Sequence, residues 1–285
     1  MKTIGITTDC VCDLPEAYLE ANGIDLLNFY ITTDSGRFLD GYEITSQNLL
    51  EYLQEGGSAA RTEAPKPAVY RRFFEERLAR CDEIVHVAMS CHVGFSYENA
   101  MAAVSMMGDM GRRVTVIDSQ QISTGMGQMV MRAVRLRGEG RSAQEIQAAL
   151  LAMRPKIHAT FITRSGQHLF RNGRLGKNVV ELSEALSLHP VLTMKDGRLV
   201  LKSLYFGNYE RAIRRFIRRT LGNGRGIDTH RLFITHAGCT LRMIADARAQ
   251  ASRKVSFDEV TVTQASATVS GNCGPGTVGL VFVNK

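Results

Sequence analysis

Short apolar runs alternate with amphipathic stretches through the first half of the chain. Strands are predicted at residues 3–8, 24–32, 83–89 and 114–117, because each run is apolar and ends near a polar or turn-forming residue. Helices are predicted between and after these strands, and the last of them spans residues 142–153 with a capping box of Ser142 and Glu145. This order is typical of βαβ units, so we expect a three-layer α/β/α domain with a parallel sheet.

The order of elements changes in the second half. Strands are predicted at residues 157–163, 190–194, 198–205, 231–236, 256–264 and 277–283, and helices near residues 165–171, 179–188, 208–221 and 240–253. Strands and helices no longer alternate regularly, which predicts an α+β domain with a mixed sheet. The sequence therefore predicts an α/β protein with two domains, residues 1–155 and residues 156–285.

Composition supports this interpretation. The chain has 285 residues, of which 44% are hydrophobic and 22% are charged, as in an ordinary globular protein. It contains no apolar run of the roughly 18 to 20 residues that a membrane helix needs, and residues 1–6 lead into a strand rather than a signal peptide. We therefore expect a cytoplasmic protein without stable membrane insertion.

The net charge of +7 is unevenly distributed. Residues 1–155 carry 15 Lys and Arg against 20 Asp and Glu, whereas residues 156–285 carry 20 against 8. A basic second half indicates an anionic ligand, an acidic partner surface or nucleic acid.

The six cysteines predict neither disulfides nor a metal site. Cys10 and Cys12 are close in sequence, but the other four are scattered and match no zinc-binding spacing. We expect reduced thiols, no metal and no cofactor.

Polar residues follow two predicted strands of the first half. Asp9 ends the first strand, where open α/β sheets place ligands, but it is equally suited to a turn. Ser90, Cys91 and Gly94 follow the strand at residues 83–89 and precede a helix, a position that favours anion binding. A nucleophilic Cys91 beside His92 is the sharper alternative, although no residue that would orient His92 is identifiable.

Three further loops present polar groups. Thr62 offers a hydroxyl just before the prolines at positions 65 and 67, and Arg174 stands between two glycines, where its guanidinium can reach a carboxylate or phosphate. Asn272 precedes Gly274 in a tight loop and supplies an uncharged donor. Each loop is also explained as a plain turn or helix entry.

A basic amphipathic helix is predicted near residues 209–219. Ala212, Ile213, Phe216 and Ile217 form its apolar face, and five arginines lie on the other face. A solvated surface, docking of an acidic protein and nucleic-acid binding remain open, but the basic stretches contain few aromatic residues and no recognisable DNA-binding motif.

Six motifs in this order resemble the DegV family of bacterial fatty-acid-binding proteins across nearly the whole chain. Thr8 to Pro15 resemble T-D-S-x-x-D-L-P, and residues 62–67 resemble T-S-Q-P-S-P. Residues 90–100 resemble S-S-x-L-S-G-T-Y-x-x-A, and residues 116–127 resemble V-x-D-S followed by S-x-G-x-G. Residues 173–175 resemble the last three positions of G-G-R-I, and residues 272–276 resemble H-T-G-P-G.

The resemblance implies a carrier rather than an enzyme. It implies one long-chain fatty acid, with its carboxylate at the domain junction and its tail inside the second domain. It also implies a partner kinase, similar to dihydroxyacetone kinases, that converts the presented acid to an acyl phosphate.

The family's polar positions carry over residue by residue. The carboxylate-binding Thr falls on Thr62, and the second Ser of S-S falls on Cys91, beside Ser90. The His of H-T-G-P-G falls on Asn272, and the Arg of the G-G-R-I motif falls on Arg174, which is expected to face the kinase at the mouth of the site. Asp9, Gly94 and Gly274 are expected in the cleft loops.

Two other functions remain open at this stage. The first is a stand-alone hydrolase or transferase that uses Asp9, Cys91 and His92. The second is a regulatory protein that binds nucleic acid through the arginines between Arg211 and Arg219, although the resemblance implies no nucleic-acid partner.

Overall fold

A computed structural model describes residues 2–57, 60–173, 176–178, 181 and 186–285. The strands are β1 Ile4–Asp9, β2 Asp25–Leu27, β3 Tyr30–Thr33, β4 Gly36–Leu39, β5 Arg61–Glu63, β6 Glu83–Ala88, β7 Val114–Asp118, β8 Ile157–Ile162, β9 Leu188–Lys195, β10 Arg198–Phe206, β11 Ile227–Ala237, β12 Glu259–Gln264 and β13 Thr277–Asn284. The helices are α1 Glu16–Ala21, α2 Ser46–Gln54, α3 Pro67–Leu78, α4 Ser96–Met106, α5 Ser123–Gly138, α6 Ala143–Met153, α7 Gln167–Arg171, α8 Tyr209–Leu221, α9 Leu241–Ser252 and α10 Ala267–Cys273. Across those ranges, no helix is long and apolar enough to cross a membrane.

The chain separates into two compact units that interleave along the sequence. The first unit contains Met1–Tyr30, Thr62–Lys156 and Asp196–Arg198, and the second contains Ile31–Arg61, Ile157–Lys195 and Leu199–Lys285. A single cut after residue 155 would leave Ile31–Arg61 in the first half, whereas backbone contacts group this segment with the second unit.

The first unit is built on a parallel sheet with the strand order β2-β1-β6-β7. Ile84 and Ala88 of β6 share a core with Tyr70 and Phe74 of α3. Val85 is fully buried and alternates with them along β6, so it faces the other side of the sheet. Helices α5 and α6 also pack against this sheet. The predicted α/β domain with a parallel sheet is confirmed.

The second unit is built on a mixed sheet with the strand order β10-β9-β8-β13-β11-β12. β13 runs antiparallel to both β8 and β11, whereas β11 and β12 are parallel. Phe216 and Ile217 of α8 are buried in the core of this unit together with Leu280 of β13. The predicted mixed sheet is also confirmed.

The region predicted as one strand over residues 24–32 contains two. β2 belongs to the parallel sheet, whereas β3 belongs to a three-stranded sheet with the order β4-β3-β5. Phe29 lies between them, buried, and its backbone N–H donates to the Cys10 sulfur at 3.2 Å. The apolar run therefore contributes one strand to each of two sheets. The hydrophobic pattern alone does not distinguish this arrangement from a single long strand.

Two other predicted segments, residues 179–188 and the loop at Asn272, are not confirmed by the described structure. The helix predicted over residues 179–188 lies mostly outside the described residues, and Leu188 begins β9. Asn272 and Cys273, predicted as part of a tight loop, instead form the end of α10. The Asp40 carboxylate, which is almost fully buried, accepts hydrogen bonds from the first two backbone N–H groups of α10, those of Ala267 at 3.0 Å and Thr268 at 2.8 Å. These two bonds connect residues far apart in sequence, so local patterns do not show them, whereas the N-cap Ser266, whose side chain accepts the Val269 N–H at 3.4 Å, is local.

Candidate functional site

Asp9 ends β1 but is completely buried and serves the fold directly. One carboxylate oxygen accepts the Tyr70 hydroxyl at 2.7 Å, and the other accepts the Met89 backbone N–H at 2.8 Å and the Ser96 hydroxyl. His86 Nε2 lies 3.5 Å from the same carboxylate. Asp9 therefore anchors both ends of the segment between β6 and α4, and it sets the position of the residues between them.

Tyr70 is enclosed in this network. Burial, with the Asp9 carboxylate beside it, raises the pKa of the Tyr70 hydroxyl well above its usual value. The hydroxyl therefore remains a proton donor at neutral pH.

Ser90 lies in this segment with its hydroxyl already occupied. The side chain is fully buried, its hydroxyl donates to the Gly197 carbonyl at 2.6 Å, and it accepts the His92 backbone N–H at 3.3 Å. Gly197 belongs to the same unit and has a φ of 76°, and a Cβ there would lie 3.0 Å from the Ser90 hydroxyl oxygen. Ser90 thus fixes the loop, and its hydroxyl has to be shared or redirected before it donates to a ligand.

Cys91 pairs with Asp118, the last residue of β7. Its backbone N–H donates to Asp118 Oδ1 at 3.2 Å, and its thiol donates to Asp118 Oδ2 at 3.3 Å. Desolvation, together with this carboxylate, raises the pKa of the Cys91 thiol to about 11. A nucleophilic cysteine needs a lowered pKa, so this geometry opposes the use of Cys91 as a thiolate with His92.

The remaining candidates of the first unit occupy less constrained positions. Thr62 is half-buried at the centre of the short strand β5. Gly94 lies in the turn after Cys91, where an added Cβ would meet only the flexible end of Met89 at 2.6 Å. Thr62, Ser90, Cys91 and Gly94 all belong to the first unit.

Asn272 and Gly274 lie at the end of α10 in the second unit. The Asn272 amide nitrogen donates to the Thr268 carbonyl of its own helix at 2.8 Å. Gly274 follows with a φ of 82°, a conformation that side chains other than glycine rarely adopt. Leu49 of α2 packs so closely on Gly271 that a Cβ there would lie 2.9 Å from Leu49 Cδ2. The end of α10 is therefore held from both sides by Ile31–Arg61, through Asp40 and Leu49.

Several residues of these clusters are not apparent from the sequence motifs. Asp118 follows the same rule as Asp9, because both end a strand of the parallel sheet, so the position of the strand end is a usable signal. Tyr70 and His86 reach the Asp9 carboxylate from the bodies of α3 and β6, and no local pattern marks them. Arg174 lies outside the described residues.

The basic helix is present as predicted. In α8, Ala212, Ile213, Phe216 and Ile217 are buried, whereas Arg211, Arg214, Arg215, Arg218 and Arg219 are exposed. Arg214 donates to Asp246 of α9 at 2.8 Å, and Arg219 lies over the Tyr205 ring at 5.6 Å. These contacts occupy two arginines of the exposed face.

Metal binding has no support in the part of the chain that the structure describes. No group of three or more His, Cys, Asp or Glu side chains is arranged there to hold a metal ion.

A parallel-sheet α/β unit combined with a mixed-sheet unit defines the class of this protein as a two-unit α/β fold. Its sequence matches the profile described as "Uncharacterised protein, DegV family" over residues 3–285. The chain belongs to the DegV family, which confirms the resemblance seen in its motifs.

Individual relatives agree with this assignment. A DegV domain-containing protein of Caldanaerobacter subterraneus subsp. tengcongensis is 26% identical over 285 residues, the full length of both chains. A structure that describes fatty acid binding by a DegV family protein from Thermus thermophilus matches with a TM-score of 0.90 and 27% identity, covering 99% of this chain and 100% of that one. DegV of Bacillus subtilis, described as a fatty acid binding protein, shares the fold at a TM-score of 0.85 and 19% identity, with both chains fully covered.

Proposed function

We propose that this protein binds a long-chain fatty acid and acts as its carrier rather than as a catalyst. The observation that carries the proposal is the nearly complete match in fold to the Thermus thermophilus protein, whose structure describes fatty acid binding. The half-buried Thr62 carries a hydroxyl of the kind that hydrogen-bonds a carboxylate, whereas the donors of residues 90–92 bond within the protein and have to be redirected before they meet a ligand. We place the acid head at the junction of the two units and the acyl tail inside the second unit.

The residues that differ from the family motifs, such as Cys91, affect the binding energy of the carboxylate head more than that of the acyl tail. Burying about fourteen methylenes is worth roughly 11 kcal/mol before costs, at about 0.8 kcal/mol for each CH₂. Exchanging a hydroxyl donor for the weaker Cys91 thiol costs about 1 kcal/mol. Binding therefore survives the exchange, and the tail supplies most of the affinity.

The first experiment is organic extraction of protein purified from a bacterial host, followed by mass spectrometry. We expect fatty acid in a nearly equal molar amount. The delipidated protein should then rebind a radiolabelled fatty acid, and Thr62→Val should weaken rebinding by about tenfold, the loss of one hydrogen bond to a charged group, while Thr62→Ser restores it. Absence of lipid in the extract, together with no rebinding, would contradict the proposal.

We further propose that the bound acid is presented to a separate kinase similar to dihydroxyacetone kinases. The raised pKa of the Cys91 thiol supports a carrier, because it disfavours covalent catalysis by this chain. The exposed arginines of α8 offer a basic surface for an acidic partner. The test mixes this protein, the kinase of the same organism, ATP and fatty acid, and traps acyl phosphate with hydroxylamine; formation that does not depend on this protein would exclude the role.

A further inference from the structure

His168 of α7 lies directly against the loop that follows α10. Its ring atoms Cδ2, Cγ and Nε2 lie 2.5, 2.9 and 3.2 Å from the point that a Cβ would occupy on Gly274. The missing side chain of Gly274 therefore makes room for the imidazole. The two residues are distant in sequence, and both belong to the second unit.

The ring is also held by the last turn of α10. It makes a hydrogen bond with the Gly271 carbonyl. The Asn172 amide nitrogen donates to the His168 carbonyl at 2.9 Å and lies 3.4 Å from the Gly271 carbonyl oxygen. An imidazole has two nitrogens, so the bond to Gly271 leaves the second one for another partner.

The neighbouring amide is already engaged. Asn272 uses its side-chain nitrogen on the Thr268 carbonyl, within its own helix. At the end of α10, His168 is therefore the side chain better suited to bond an incoming oxygen.

We propose that His168 is the residue of the second unit that hydrogen-bonds the acid head of the bound lipid. The assignment rests on the proposed function and extends it to a residue from a different element. It gives the second unit a nitrogen donor that sits against the Gly274 backbone.

Protonation follows from the surroundings of the ring. Burial lowers the pKa of His168, and the positive charge of Arg171 on the same helix lowers it further, whereas the Gly271 carbonyl of α10 opposes this shift. The free ring is thus neutral near neutral pH. A carboxylate beside it favours the imidazolium, so binding of the acid draws a proton from the buffer onto the ring.

The test compares a long-chain fatty acid with the alcohol of equal chain length, which lacks the charge. In delipidated protein, His168→Phe should weaken binding of the acid by about tenfold or more, the loss of a charge-assisted hydrogen bond, and leave binding of the alcohol within about twofold. His168→Gln, which keeps an N–H donor, should recover part of the affinity for the acid. The matched control is His230→Phe, the same substitution at an exposed histidine of the second unit.

Calorimetry in two buffers of different ionisation enthalpy supplies the second readout. We expect the unaltered protein to take up a fraction of a proton with the acid and none with the alcohol, and the His168 variants to take up none. The inference is overturned if both His168 variants lose affinity for the acid and for the alcohol by the same factor. It is also overturned if binding of the acid still takes up a proton in the variants that lack His168. If the unaltered protein binds neither ligand, the proposed function fails instead.

If His168→Phe fails to fold, as judged by circular dichroism, the binding affinities and the proton uptake are both measured with His168→Gln. Its smaller side chain avoids the close contact with Gly274. Unchanged affinity and unchanged proton uptake in that variant would contradict the inference.

Discussion

At the scale of single residues, the side chains of the family motifs divide into those that hold the loops in place and those that stay candidates for contact with a ligand. Asp9 and Ser90 belong to the first group, because both are buried and bonded to neighbouring segments. Thr62 and Asn272 are half-buried, at positions where family motifs predict contact with a carboxylate. A residue of a family motif can therefore serve the fold itself, as Asp9 and Ser90 do.

Asp9 is the residue whose loss should destabilise the first unit most. Asp9→Ala leaves the Met89 N–H and the Tyr70 and Ser96 hydroxyls without their acceptor in a buried site. We expect the free energy of unfolding in urea to fall by about 3–5 kcal/mol. The control is Asp109→Ala, at a side chain that is 92% exposed. This variant should leave the midpoint of urea unfolding unchanged. Equal midpoints for the two variants would show that the buried network does not support the fold.

Cys91 should react slowly with alkylating agents near neutral pH. Its pKa of about 11 keeps the thiol protonated there, and the thiolate is the reactive form. The rate of modification by iodoacetamide, followed by mass spectrometry of the peptide that contains Cys91, should rise with pH through the alkaline range. Rapid modification near pH 7, at a rate that no longer rises above about pH 8.5, the ordinary pKa of a cysteine, would contradict this prediction and revive the nucleophile hypothesis.

At the scale of elements, hydrophobic periodicity predicted most helices and strands of both units. The capping box of Ser142 and Glu145 forms as the sequence indicates. The failures have a physical cause in each case: the apolar run at residues 24–32 divides between two sheets, and the start of α10 is held by the distant Asp40 in addition to its N-cap Ser266. The contacts of Cys91 with Asp118 and of His168 with Gly274 also depend on tertiary packing, which one sequence does not encode locally.

Two glycines of α5 test how tightly this helix packs. A Cβ on Gly127 would lie 2.8 Å from the Cys12 carbonyl oxygen, whereas a Cβ on Gly138 would meet nothing within 4 Å. Gly127→Ala should therefore lower the free energy of unfolding by about 1–3 kcal/mol through overpacking. Gly138→Ala should raise it by up to about 1 kcal/mol through the helix preference of alanine. Denaturant titration of both variants measures the difference, and the same sign for both would disprove the packing argument.

At the scale of the whole molecule, the two units do not follow each other along the chain. Ile31–Arg61 belongs to the second unit although it is flanked by segments of the first. Its Leu49 and Leu50 lie close to Gly271 and Gly238 of the C-terminal half. The chain therefore crosses between the units more than once.

A fragment of residues 1–155 should reveal this arrangement. Without the C-terminal half, Leu49 and Leu50 lose their partners, so we expect proteases to cut within residues 31–61 of the fragment while the parallel-sheet region stays protected. The full chain should resist cleavage at those positions. Mass spectrometry of the products gives the comparison, and equal protection in both would indicate that the segment folds with the first unit alone.

The central place of β13 has a consequence for how the protein is made. β13 is the last of the six strands to be synthesised, yet it joins β8 to β11 in the middle of the sheet. Until it leaves the ribosome, the earlier strands of the sheet present unpaired backbone edges and uncovered apolar faces. Completion of this unit has to await the synthesis of β13, and until then those edges are open to pairing with one another or with other chains.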